Sequence, residues 1–150
     1  IINDFRYSKS IQQREYELVL KYYKIDLILL AGFMKKIPIN IINLFQNKIL
    51  NIHPSLLPKY GGPGFYGMKV HKEVIRSKDK FSGATVHFVD EEYDKGPIVI
   101  QKKIEVEDYD SAFTLSKKVL KVEHEIYIKA VKSFCLDKIK IINNKVNIHE

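Results

Sequence analysis

Asn51 and His53 stand two residues apart in the stretch NIHPSLLP, at the end of an apolar run and bracketed by Pro54 and Pro58. Residues i and i+2 of a strand point to one face, so an amide and an imidazole would look into the same crevice while Ile52 turns away. Such a pair can hold a developing oxyanion, and the imidazole can also exchange a proton near neutral pH. By itself the pair says little, because Asn and His also satisfy backbone groups where a strand runs into a loop. A third group strengthens it. DEEYDKGPI carries the carboxylates Asp90, Glu91, Glu92 and Asp94 in a polar loop between two apolar segments. Asp94 precedes Lys-Gly-Pro at a tight turn, where it could orient His53, raise its pKa by charge pairing and take up a proton. Glu91 and Glu92, on composition, read as a solvated turn.

The other candidates read differently. His87 pads or orients the site. His71 and His124 fall in helical segments and read as surface or packing residues. Cys135, the one cysteine, allows no internal disulfide and suits a reducing compartment; beside Phe134 and Leu136 it reads as a buried structural thiol. The histidines lie far apart with no zinc-like spacing, so no metal site is expected.

The elements that must position these groups follow from periodicity. Ser10 and Gln13 have the form of a capping box, and Ile11, Leu18, Val19 and Tyr22 give a helical face to about Lys24. IDLILLAG (25–32) is a continuous apolar run that fits a strand covered on both faces. Pro38 suits a first helical turn, with Ile41, Ile42 and Phe45 as a short apolar face. Strands are expected at 48–54, 82–90 and 97–106, with a Gly-rich loop at 60–67 and a helix from Val70 to about Ser77. Asp110 or Ser111 caps a long helix with the face Leu115, Val119, Val122, Ile126 and Ala130. KIKII (138–142) reads as an edge strand. Helices alternating with apolar strands imply an α/β fold, doubly wound on a mostly parallel sheet. Open sheets of that kind place ligands outside the carboxyl ends of the strands, where Asn51 and His53 fall.

Composition limits the partners. The 150 residues predict one domain, 1–150, and 45% apolar content implies a real core. The charge of +7 is spread over lysine pairs in every segment, without a block that would bind nucleic acid. No run approaches the roughly 20 apolar residues of a membrane span, and the start, IINDFRYSKS, has no signal-peptide pattern, so a cytoplasmic location is expected.

AGFMKKI (31–37), NIHPSLLP, SGATVHFVDEEYDKGPI and EHEIY (123–127), in this order, resemble the folate-dependent formyltransferases over about residues 14–134. Within that family the likeness is greatest to the branch that acts on glycinamide ribonucleotide. The resemblance implies a Rossmann-like formyltransferase fold and transfer of a formyl group from 10-formyltetrahydrofolate to the amine of that substrate, in purine biosynthesis. It matches the family's catalytic Asn, His and Asp to Asn51, His53 and Asp94. It assigns Ala31 to Ile37 to the pterin pocket and the approach to the amine substrate, with Gly32 and Met34 on the substrate and Met34, Lys35, Lys36 and Ile37 on the folate. Val89, Asp90, Glu91 and Asp94 fall in its pterin loop, Glu123 on the ribonucleotide, and Thr85 and His87 in its supporting strand. It implies small-molecule partners, no metal, and a monomer or homodimer.

Two departures stand out. The family's opening strand and its G-N-G-S-N-type loop, which grips the substrate phosphate, have no counterpart here, so a chain lacking that N-terminal part is expected. GGPGFYGM is longer than the common K-Y-P-G-L form and looks like a variant of some bacterial members. Formyltetrahydrofolate deformylases share the Asn, His and Asp but read H-H-S-F-L-P where this chain reads H-P-S-L-L-P. Methionyl-tRNA formyltransferases add a tRNA-binding domain, amino-sugar formyltransferases remain an alternative, and an inactive truncated remnant is the non-enzyme reading.

Overall fold

The computed structural model describes residues 9–149, with side chains from Arg14 onward. Four strands form one sheet in the order β1 (Ile28–Leu30), β2 (Ile49–His53), β3 (Phe81–Phe88) and β4 (Ile98–Glu105). Around it lie α1 (Lys9–Tyr22), α2 (Ile39–Leu44), α3 (Met68–Arg76) and α4 (Ala112–Cys135), and the chain continues into a hairpin of β5 (Ile139–Ile142) and β6 (Lys145–Ile148).

The α/β class stands, but the sheet is mixed rather than mostly parallel. β1 and β2 run parallel, while β2–β3 and β3–β4 are antiparallel. Residues 89–97, which join β3 to β4, are too few for the dozen or more that a parallel crossover needs. The longer link from β2 to β3 carries α3, yet it returns the chain to the end of the sheet it left, pairing His53 with Thr85.

β2 sorts the core. Leu50 and Ile52 pack with Ala84, Val86 and Phe88 against the α4 stripe Leu115, Val119, Val122, Ile126 and Ala130. Every member of that stripe is buried, as its spacing predicts. Each Leu, Val or Ile of the stripe contributes about 1.5–3 kcal/mol of apolar burial. Ile49 points to the other face, into a smaller cluster with Ile41, Ile42 and Phe45. Asn51 and His53 share the direction of Ile49 by alternation. Ser111 caps α4: its hydroxyl accepts the Thr114 N–H, and the Thr114 hydroxyl accepts the Ser111 N–H.

Several expectations change. The Ser10–Gln13 capping box and Ile11 involve side chains outside the described residues. Leu18 and Tyr22 are 67% and 80% exposed, because α1 meets the α2 cluster through Tyr16 and Leu20 instead. The strand in 25–32 shortens to Ile28–Leu30, and Leu29 is 47% exposed rather than covered. Among the described residues, β1 pairs only with β2. Cys135 is exposed, since it falls off the α4 stripe that ends at Ala130 and Ser133. Residues 138–142 do not edge the main sheet; β5 pairs with β6 through Asn143 and Asn144, both at positive φ, as a tight hairpin turn requires.

Gly83 lies where β3 approaches β4 closely. A Cβ there would stand 2.1 Å from the Lys102 carbonyl oxygen and 2.7 Å from Leu56 Cδ2. Gly83→Ala is expected to destabilise the chain by about 2–3 kcal/mol, read as a lower urea midpoint at unchanged slope.

Candidate active site

β2 delivers Asn51 and His53 to the carboxyl end of the parallel pair, and β3 meets them with His87 and Thr85. The Asp94 turn follows β3, with Asp94 itself at φ 56. Its carboxylate is held from the far side: Oδ2 accepts the Gly62 N–H at 2.8 Å.

Hydrogen bonding assigns the protons. A carbonyl can only accept, so His87 carries its hydrogen on Nδ1, which donates to the Phe88 carbonyl at 2.7 Å. His87 Nε2 is then free to accept from Asn51 Nδ2 at 3.1 Å. The same logic puts a hydrogen on His53 Nε2, 2.7 Å from the Tyr60 carbonyl. The remaining His53 nitrogen, Nδ1, faces Asp94 Oδ2 at 3.6 Å, and His87 Nε2 lies 3.5 Å from Asp94 Oδ1. One carboxylate therefore stands between two buried imidazoles. Thr85 does not touch the cleft. Its buried hydroxyl donates to the Ser55 carbonyl and accepts from the Leu57 N–H and Gln101, tying the NIHPSLLP loop to β3.

The predicted residues line two adjoining cavities. Asn51, His53, Asp94, Gly32, Met34 and Glu123 wall a cleft of about 380 Å³, together with the Gly62–Gly67 loop. Lys35, Lys36, Ile37, Val89, Asp90, Glu91 and Asp94 line a narrower slot of about 50 Å³ with Leu30, Asn51 and His87. Asn51 and Asp94 belong to both. Met34, assigned by resemblance to both ligands, lines only the larger cleft. Three contributors escaped sequence reasoning. His71 walls the cleft instead of the surface, with its Nδ1 buried and without a hydrogen-bond partner. Tyr93, next to Asp94, reaches both cavities. The Tyr60 carbonyl is backbone, which residue type does not reveal; Gly61 and Gly62 after it were the only signal.

Electrostatics corrects one expectation. Burial lowers the pKa of His53 and outweighs the raising effect of Asp94 and the Tyr60 carbonyl, so the net direction is down rather than up. His71 is also lowered, by burial and then by His53. For Asp94 burial pushes upward, but the two neighbouring imidazoles, His87 and His53, and the Gly62 N–H together hold it below the ordinary carboxylate value. Glu123 is raised by burial. The resting site thus pairs a neutral imidazole with a carboxylate. Leu30, Ile37 and Val89 give the slot apolar walls, and the 90–94 loop gives it a polar edge. Among the described residues, no group of three or more His, Cys, Asp or Glu could hold a metal ion.

Comparison with known proteins places these motifs in context. The family described as Formyl transferase matches residues 3–131. The chain is 43% identical over 150 residues to the chloroplastic phosphoribosylglycinamide formyltransferase of Arabidopsis thaliana, covering 95% of this chain and 51% of that protein. It is 39% identical over 113 residues to phosphoribosylglycinamide formyltransferase of Bacillus subtilis, covering 75% of this chain and 55% of that protein. The chain thus spans about half the length of these relatives. The crystal structure of glycinamide ribonucleotide transformylase 1 from Symbiobacterium toebii superposes with a TM-score of 0.85 at 33% identity, covering 95% of this chain and 65% of that one. A formyltetrahydrofolate deformylase from Pseudomonas syringae also gives 0.85, at 25% identity, covering 95% and 46%.

A depressed folded-state pKa means that the unfolded chain binds the His53 proton first as pH falls. The stability contributed by neutral His53 is present above about pH 6.5 and is lost as pH falls through the lower folded value. In an NMR titration His53 is expected to titrate below about 6.5, and Asp94→Asn is expected to move it lower still. A midpoint above the ordinary imidazole value would contradict the dominance of burial.

Proposed function

Because the chain belongs to the formyl transferase family, we propose that it transfers a formyl group from 10-formyltetrahydrofolate to the amine of glycinamide ribonucleotide, acting as one domain. The observation that carries the reading is the convergence of Asn51, His53 and Asp94 on one cleft, beside a slot with apolar walls and a polar edge. The relatives named for this reaction support the choice of substrate.

The folate cosubstrate supplies an electrophilic formyl carbon when bound. Leu30, Ile37, Val89 and Asp90 hold the heterocycle, and Lys35 and Lys36 line the same slot. Gly32, Met34 and Glu123 wall the side from which the amine approaches. One N–H of Asn51 is spent on His87, which leaves the second for the formyl oxygen as negative charge develops there. His53 presents an unprotonated Nδ1, because its Nε2 hydrogen is engaged by Tyr60. That lone pair receives the proton which the attacking nitrogen sheds, and Asp94 stabilises the imidazolium so formed. The proton then passes to the folate nitrogen as its bond to the formyl carbon breaks. His53 therefore acts first as a base, a role that its lowered pKa favours near neutrality.

The deformylase of the same fold is the second reading, with water in place of the amine; the higher identity to the transferases favours the amine. Among the described residues no helix is long and apolar enough to cross a membrane. We assign the reaction to the cytoplasm on the single cysteine, and a plastid is the other setting, since the Arabidopsis relative is named chloroplastic.

Incubation with both substrates is expected to give formylated amine in step with loss of formyl donor. Release of formate without any need for amine would support the deformylase instead, and absence of turnover would sink both. Asn51→Ala is expected to lower kcat by about 10²–10³-fold with little change in thermal stability. His53→Ala and Asp94→Asn are each expected to cost at least as much, and near-wild-type rates in either would refute the assigned roles.

A further inference from the structure

His53 has one hydrogen and two acceptors that compete for it while neutral. The Tyr60 carbonyl lies 2.7 Å from Nε2, and Asp94 Oδ2 lies 3.6 Å from Nδ1. If the Asp94 side won, Nδ1 would carry the hydrogen and lose the lone pair that the proposed reaction needs. The tautomer is therefore decided by how firmly the Tyr60 carbonyl is held.

Tyr60 does not hold itself. Its φ of 55 lies in the left-handed region, which costs a bulky side chain about 1–2 kcal/mol. Its phenol reaches away from the cleft and donates to Asp79 Oδ2 at 2.7 Å. Asp79 sits in the turn between α3 and β3, where its N–H binds the Val74 carbonyl. Its side chain is only 17% exposed, and it also accepts from Lys59 Nζ at 2.7 Å on both oxygens. Lys59 is largely exposed, so that pair alone contributes little. On the near side, the Ser55 hydroxyl donates to the Lys59 carbonyl at 2.6 Å, closing the loop between His53 and Tyr60. The chain of contacts runs unbroken from Asp79 through Tyr60 to Nε2 of His53.

We propose that Asp79 is a positioning residue for His53: by anchoring the Tyr60 phenol it aims the Tyr60 carbonyl, which keeps the His53 hydrogen on Nε2 and its lone pair toward Asp94. Asp79 touches neither cavity, and nothing in the spacing of the catalytic motifs points to it. That the lone pair matters for catalysis rests on the formyl-transfer reading; the control of the tautomer does not.

The test uses the chain labelled with ¹⁵N-histidine, with ring tautomers read from two-bond ¹H–¹⁵N correlations at about pH 8, well above the depressed His53 midpoint. His53→Gln assigns the signal, and Asp94, His87 and His71 remain in place around it. The wild-type chain is expected to show the Nε2–H form. Asp79→Ala and Tyr60→Phe are each expected to move His53 mainly to Nδ1–H, the double variant no further than either single one. Asp79→Asn, whose amide oxygen can still accept the phenol, is expected to keep Nε2–H. Unchanged His124 signals on α4 report an intact fold, and Tyr60→Phe, which removes only a hydroxyl, carries the test if Asp79→Ala unfolds. Retention of Nε2–H in Tyr60→Phe, or in a folded Asp79→Ala, would overturn the proposal. In the formyl-transfer assay Tyr60→Phe is expected to lose at least about 10-fold in kcat at nearly constant KM. Absence of formyl transfer by the wild-type chain, with the tautomer shift still seen in the variants, would remove the functional reading and leave the positioning role standing.

Discussion

The register of β2 between its two neighbours governs the molecule. Leu30 lies opposite Asn51 on one side, and His87 and Thr85 lie opposite Asn51 and His53 on the other. A slip by one residue would turn Asn51 and His53 into the α4 core and expose Leu50 and Ile52 to the cleft. The apolar side chains on the α4 face therefore enforce the placement of the polar ones on the opposite face. Stability and chemistry share one strand, and the tight approach of Gly83 to Lys102 extends that register to β4.

At His53 desolvation outweighs charge, and at Asp94 its neighbours outweigh desolvation. Two histidines face a single carboxylate. Burial penalises the imidazolium more than Asp94 rewards it, so His53 is lowered while Asp94 still falls. Directed hydrogen bonds then do what net charge does not: Phe88 and Tyr60 each offer a carbonyl that selects one nitrogen of one ring. Backbone carbonyls, one at the end of β3 and one in the loop after β2, select the tautomers that the side chains express.

This division explains what could be read from residues alone. Side-chain alternation in NIH, the apolar stripe from Leu115 to Ala130 and the turn before Gly96–Pro97 are local patterns, and they were legible. The direction of β3 was not, since a helix between two strands suggests a parallel crossover and only the route of residues 54–80 decides otherwise. The outward face of α1 was also hidden: Leu18 and Tyr22 have helical spacing, but which stripe packs depends on where α2 lies. His71 reads as an ordinary helical histidine until α3 is docked, and Tyr60 acts through an atom that every residue possesses.

Tyr127 of α4 reaches the sheet with a phenol pushed up to about 12 by burial, and its hydroxyl lies 3.0 Å from the Leu30 carbonyl and 3.1 Å from that of Leu50. A single donor thus bridges the last residue of β1 and the residue before Asn51. Gly32, two residues after Leu30, and Asn51, directly after Leu50, both line the cleft. The phenol works as a rivet across the seam, and it keeps its hydrogen through the whole range of neutral and mildly alkaline pH. The β1 and β2 walls are thus fastened to one helix, while the loop that also lines the cleft carries Gly62 and Gly64 at φ 85 and 93, a conformation that glycine adopts at little cost.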